Sequence, residues 1–140
     1  MVFSTVRKTV NAELTTEGRS VGIARVLVEL ASDYDRGWVT LECQASNQVV
    51  EVAFDDPHFV LNIPHTESQG LLPRLLQVGI AIPTGWVVKK DKKKTLLSMG
   101  FLEVEVQKHQ RDELAEFIRL LARDLLAWPE RQSIVASFQR

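Results

Sequence analysis

The stretch "WVTLECQASNQVVEVAFDDPHFVLNIP", Trp38 to Pro64, decides the fold class. Its first part, Trp38 to Cys43, sets Trp38, Thr40 and Glu42 against Val39, Leu41 and Cys43, the period of two of a half-buried strand. "ASNQ" follows as turn chemistry. Val49 to Phe54, "VVEVAF", is rich in the β-branched residues that suit a pleated surface. "DDP" interrupts it, because Pro57 and the residue before it resist both helix and ladder geometry. His58 to Ile63, "HFVLNI", forms a third strand closed by Pro64. Three strands on short connections predict an antiparallel meander.

Working outward, Ser20 to Gly37 predicts a helix. Ile23, Val26, Leu27 and Leu30 share one face at three- and four-residue spacing, with Ser20 as N-cap and Gly37 as stop. On the other side, Thr66 to Gly79 carries Leu71, Leu72, Leu75, Leu76 and Val78. Pro73 fits a helix only in the first turn, so the well-formed part begins near Leu72 and Gly79 ends it. "GWVVKK" and "GFLEVEVQ" read as a second antiparallel pair around a run of lysines. Gln110 to Trp128 is the strongest helix, with Leu114, Phe117, Ile118, Leu121 and Leu125 in one stripe; Pro129 stops it.

The order is α-β-β-β-α-β-β-α, an α+β fold with an antiparallel sheet of about five strands and helices packed on one face. One domain over residues 20–128 is expected, with 1–19 as an arm or short helix and 129–140 as a tail. At 140 residues, 45% hydrophobic and 25% charged, the chain has an ordinary globular balance.

That order resembles the fold of type III secretion chaperones and of the bacterial YbjN-like and TY-Chap families. The features that carry the likeness are "GWVTLEC" opening the first strand, "FVLNIP" ending the third, a leucine-rich middle helix ending in Gly, and a long amphipathic last helix. The resemblance spans Ser20 to Trp128 and rests on pattern and spacing. It implies a homodimer that holds another polypeptide. Secretion chaperones are usually more acidic than this chain, whose lysine run departs from their pattern.

Net charge is −1. Lys89 to Lys94 holds five lysines and one aspartate, so the rest of the chain carries −5. Nothing global steers the molecule to nucleic acid or membrane. The basic loop of Lys89, Lys90, Lys92, Lys93 and Lys94 reads as a solvated hairpin tip between two apolar arms, Trp86, Val87, Val88 and Leu96, Leu97, Phe101. The alternative is an adaptor contact to nucleic acid or an anionic surface. Trp86 and Phe101 flank the run without interleaving as base-stacking aromatics would, so nucleic acid is not the expected partner.

No catalytic string occurs, and neither a cofactor nor a metal is expected. His58 and His65 lie on opposite faces of one strand, about 20 Å apart if extended. His109 stands alone. Cys43 is the single cysteine, so no internal disulfide forms; it reads as a small buried residue. Asp55 and Asp56 read as turn formers. Trp38, Trp86 and Trp128 sit at element ends, where aromatics cap a core or anchor an interface. The N-terminus lacks the apolar stretch of a signal peptide, and no run approaches the ~20 apolar residues of a membrane span. The expectation is a non-enzymatic, cytoplasmic, homodimeric polypeptide-binding module, with Trp38, Trp86, Leu72, Leu75 and Leu76 as partner-binding residues.

Overall fold

Alternation along the strands builds one face of a sheet and leaves the other open. Val50, Val52 and Phe54, then Phe59, Leu61 and Ile63, then Leu102, Val104 and Val106 are buried, while the residues between them stay half-exposed. The computed structural model describes residues 5–13, 21–33, 36–43, 48–128 and 131–139. These form seven strands: β1 (Thr5–Glu13), β2 (Arg36–Cys43), β3 (Val49–Asp55), β4 (His58–His65), β5 (Val87–Lys92), β6 (Gly100–Gln107) and β7 (Arg131–Gln139). Their spatial order is β1-β7-β2-β3-β4-β6-β5, and every neighbouring pair is antiparallel.

The fold is α+β. The predicted run of elements lies within it, framed by two further strands. Residues 1–19 and 129–140, read from sequence as an arm and a tail, contain β1 and β7, and β7 inserts between β1 and β2. Ala136 and Phe138 of β7 are buried. The same device closes the other end, where β6 inserts between β4 and the edge strand β5. The meander β2-β3-β4 at the centre is as the sequence predicts, and Phe54 stacks beside its cross-strand partner Phe59 with ring centroids 5.0 Å apart.

Helix α1 (Val21–Asp33) buries Ile23, Val26, Leu27 and Leu30. It ends before Gly37, which is a β2 residue paired with Phe54; the Ser20 cap lies outside the described residues. Helix α2 (Leu71–Gln77) holds Pro73 in its first turn, where no N–H is required. Gly79, at φ +79°, ends it as a left-handed cap, with Gly79 N–H donating to Leu76 O (3.1 Å) and Ile80 N–H to Leu75 O (2.9 Å).

Helix α3 is shorter than its stripe. It runs Arg111–Leu120, widens into a π turn over Leu121–Leu125, and stops. Leu126 N–H donates to Leu121 O (2.9 Å) and Trp128 N–H to Ala122 O (2.8 Å), with Ala127 left-handed at φ +52°. The predicted helix to Trp128 therefore ends at Leu125. The extra residue of the π turn swings Trp128 back into the core, where its Nε1–H donates to Gln48 Oε1 at 3.0 Å. No helix among the described residues is long and apolar enough to cross a membrane.

The three helices and the buried sheet face share one hydrophobic cluster. Leu121 is wholly inaccessible within it. Leu121→Ala is expected to lower stability by about 2–5 kcal/mol, read as a fall in thermal midpoint with the native far-UV spectrum kept.

Candidate functional site

Edge strand β5 places the lysine run. It pairs with β6 through Val87–Glu105, Val88–Val104, Lys90–Glu103, Asp91–Leu102 and Lys92–Phe101, with a bulge between Val88 and Lys90. The basic residues are thus not all at a hairpin tip: Lys89, Lys90 and Lys92 belong to the strand, and only Lys93 and Lys94 lead into the turn. An edge strand tolerates them because its outer rim faces water, and charged edges resist further strand pairing. Lys89 Nζ lies 3.4 Å from Glu105 Oε2, and the Lys90 and Lys92 ammonium groups sit 6.0 and 5.8 Å from the Phe101 ring centroid.

Asp91, the one acid in the run, points to the helix side. Its carboxylate accepts from Leu71 N–H (2.8 Å) and Leu72 N–H (3.1 Å), the first two amides of α2. Gly70, the N-cap residue, has no side chain to offer; Asp91 supplies the acceptor from 20 residues away and meets the positive end of the helix. Buried His65 completes the knot. Its Nδ1 accepts from Glu67 N–H (3.0 Å), and its Nε2 faces Asp91 Oδ1 at 3.8 Å. Two glycines make room: a Cβ on Gly70 (φ +89°) would lie 2.7 Å from Asp91 Oδ2, and one on Gly100 2.4 Å from both His65 Cε1 and Lys92 O.

Beyond β5 the chain turns tightly. Lys94 N–H donates to Glu67 O (3.0 Å). Thr95 Oγ1 accepts from Leu97 N–H (3.3 Å) and Ser98 N–H (3.1 Å), and Thr95 N–H donates to Ser98 O (2.9 Å). Leu96 and Leu97, read from sequence as part of a pairing arm, are instead displayed on this turn at 103% and 98% exposure, with Met99 at 55%. β6 begins only at Gly100, because the Thr95 hydroxyl satisfies the turn amides that a longer ladder would have used.

A second surface lies between α3 and the segment after α2. Ala81 and Pro83 on one side and Phe117 and Leu120 on the other line a groove of about 440 Å³, rimmed by Asp112, Glu113 and Glu116. Trp86 supports it from within, edge-on to Phe117 at 5.0 Å. Asp112 and Glu113 stand in the first turn of α3, where acids complement the helix dipole. Glu116 is held by the buried Arg119 guanidinium.

The residues singled out from sequence do not form one surface. Leu75 and Trp86 are core residues, Leu72 packs partly against the core, Leu76 is exposed on α2, and Trp38 stands on the open sheet face. There Trp38 borders a shallow depression of about 330 Å³ with Glu51, Ala53, Val60, Asn62 and Glu103. His58 and His65 do fall on opposite faces of β4; His58 Nε2 lies 3.7 Å from Glu105. Cys43 is buried. Asp55 is the last residue of β3, paired with His58, and Asp56 lies in the β3–β4 turn, where Lys108 Nζ reaches its Oδ1 at 3.4 Å. Among the described residues, no group of three or more His, Cys, Asp or Glu is arranged to hold a metal. Sequence reading missed the groove. "RDELAEFIRLL" shows its helical half, with Glu113, Phe117 and Leu120 at helical spacing, but "IAIPTG" has no periodicity that would bring Ala81 and Pro83 to it.

Asp91→Ala is expected to cost about 1–2 kcal/mol through the two uncapped amides. Asp91→Asn, which keeps one acceptor, should lose less, and Lys92→Ala should leave the melt unmoved. Equal melts for Asp91→Ala and Lys92→Ala would remove the capping role.

Comparison with protein-family models, with curated proteins and with solved structures gave no match to this chain.

Proposed function

We propose that the chain is a non-enzymatic polypeptide-binding module whose groove beside α3 takes a segment of apolar and basic side chains. The observation that carries this reading is the groove itself: an apolar floor of Ala81, Pro83, Phe117 and Leu120 under a rim of carboxylates. Its volume falls in the ~300–1,000 Å³ range of ordinary ligand sites. The chemistry of the lining favours docking over turnover. Its carboxylates stand at the rim, Glu116 tied to the Arg119 guanidinium and Asp112 beside Arg111, above a floor of apolar side chains. An aliphatic side chain can fill the floor while a lysine or arginine next to it meets the rim, the usual division between an apolar anchor and a charged border.

The resemblance of the inner element order to secretion chaperones and their relatives supports the same class of activity, since proteins of that fold hold other polypeptides. A homodimer is part of the reading. Trp38, Ala53 and Val60 give the open sheet face an apolar strip that a second copy could cover. Light scattering at micromolar concentration should return twice the 15.8 kDa chain mass; the mass of a single chain removes the dimer and leaves the groove reading intact.

For the groove, fluorescence anisotropy with a labelled peptide alternating leucine and lysine is expected to give a Kd of about 1–100 μM, with a leucine–glutamate peptide at least about tenfold weaker. Ala81→Trp, which fills the floor, and Glu113→Lys, which reverses the rim, should each weaken the lysine peptide by about tenfold or more. Equal affinity for both peptides, or indifference to Ala81→Trp, would refute the proposal.

A further inference from the structure

The hairpin turn combines features that neither the core nor the groove uses. Every residue from Lys92 to Met99 is exposed. Leu96 and Leu97 have essentially all of their surface in water. Two adjacent leucines held fully exposed are unusual on a turn that is otherwise well ordered by hydrogen bonds. Here the Thr95 hydroxyl and the Lys94–Glu67 backbone bond fix the turn, so the leucines are presented by a rigid support. Directly behind them stand Lys92, Lys93 and Lys94, with Lys89 and Lys90 further along β5.

We propose that this tip is a docking element for an anionic lipid bilayer, with Leu96, Leu97 and Met99 entering the acyl boundary and the lysines meeting the headgroups. Three observations choose this occupant. The apolar group is convex: a folded protein would need a matching pocket, whereas a fluid bilayer closes around any protrusion. The tip residues are aliphatic, and single-stranded nucleic acid is held by aromatic faces on which bases stack. The collar is lysine, whose long stem lets the ammonium stay at headgroup level while the leucines go deeper. Interfacial binding strengthens with the apolar area buried and with attraction to anionic lipid, and the tip supplies both terms.

The topology keeps the acidic groove clear of such a surface. The tip precedes Gly100 at one end of β6, while α3, with Asp112 and Glu113 in its first turn, starts just beyond Gln107 at the other, about 23 Å along the strand. The lysine-bearing tip can therefore face an anionic surface with the carboxylate rim of the groove at the far end of β6. The inference stands on the tip alone and does not depend on what fills the groove.

The test is flotation of the full chain with vesicles of phosphatidylcholine alone and of phosphatidylcholine with phosphatidylglycerol. Binding is expected only to the phosphatidylglycerol vesicles, and to weaken as salt is added. The double variant Leu96→Ser, Leu97→Ser should bind about tenfold more weakly or worse, and the triple variant Lys92→Glu, Lys93→Glu, Lys94→Glu should not float. Both alter only exposed side chains, so an unchanged thermal melt certifies their folding. Absence of binding to phosphatidylglycerol vesicles at low salt overturns the proposal. So does full binding by the leucine variant, which would reduce the effect to adsorption of lysines. Leucine-dependent binding to polyglutamate or single-stranded DNA at least as tight as to the vesicles would assign the tip to an acidic macromolecule instead.

Discussion

One carboxylate decides how the basic hairpin sits on the sheet. Asp91 bridges the first two amides of α2, and in doing so ties edge strand β5 to the helix layer. A strand alternates its faces, so fixing Asp91 inward fixes Lys90 and Lys92 outward. A slip of one residue would carry a lysine to the helix N-terminus, where the partial positive charge repels it. The cap also explains the glycines around it. Gly70 and Gly100 stand where the carboxylate and the His65 ring approach the backbone too closely for any Cβ.

From this anchor the surface divides into two chemistries. At one end of β6 the chain displays leucines among lysines; past its other end, α3 opens on acids above an apolar groove. The net charge of −1 conceals this separation. A charge count over the whole chain predicts indifference to charged partners, yet the lysines gather around one exposed apolar cluster and the Asp112, Glu113 and Glu116 carboxylates around another, Glu116 and Asp112 each beside an arginine. Both partners inferred above follow from that pairing of charge with apolar surface.

The centre of the fold was legible because its strands alternate cleanly. Val50, Val52 and Phe54 or Leu102, Val104 and Val106 can bury one face only as strands. The terminal strands were not legible. β1 reads "TVRKTVNAE", whose polar residues gave no clear period, and β7 looked like a polar tail, though it runs between two other strands. β1 is specified by β7, and β7 by β1 and β2, partners far away in the chain. The end of α3 is hidden for a related reason: the leucine stripe continues to Leu125, but the π turn and the left-handed Ala127 accompany the Trp128–Gln48 hydrogen bond, a contact 80 residues away in the chain. In the lysine run the composition reads as a loop, while the ladder with β6 makes Lys89, Lys90 and Lys92 strand residues, and nothing in the run announces that its single aspartate caps α2. The candidate groove was half visible, on α3, and its other wall came from a segment without pattern.

The central claim is that a basic, apolar polypeptide segment occupies the groove beside α3. Amide chemical-shift mapping of the full chain during titration with the leucine–lysine peptide tests it most directly. The account predicts saturable shifts concentrated at Ala81, Ile82 and along Asp112 to Leu120, with the amides around Trp38, Val60 and Leu97 unmoved. Shifts centred on the open sheet face or on the hairpin turn, with α3 silent, would contradict it.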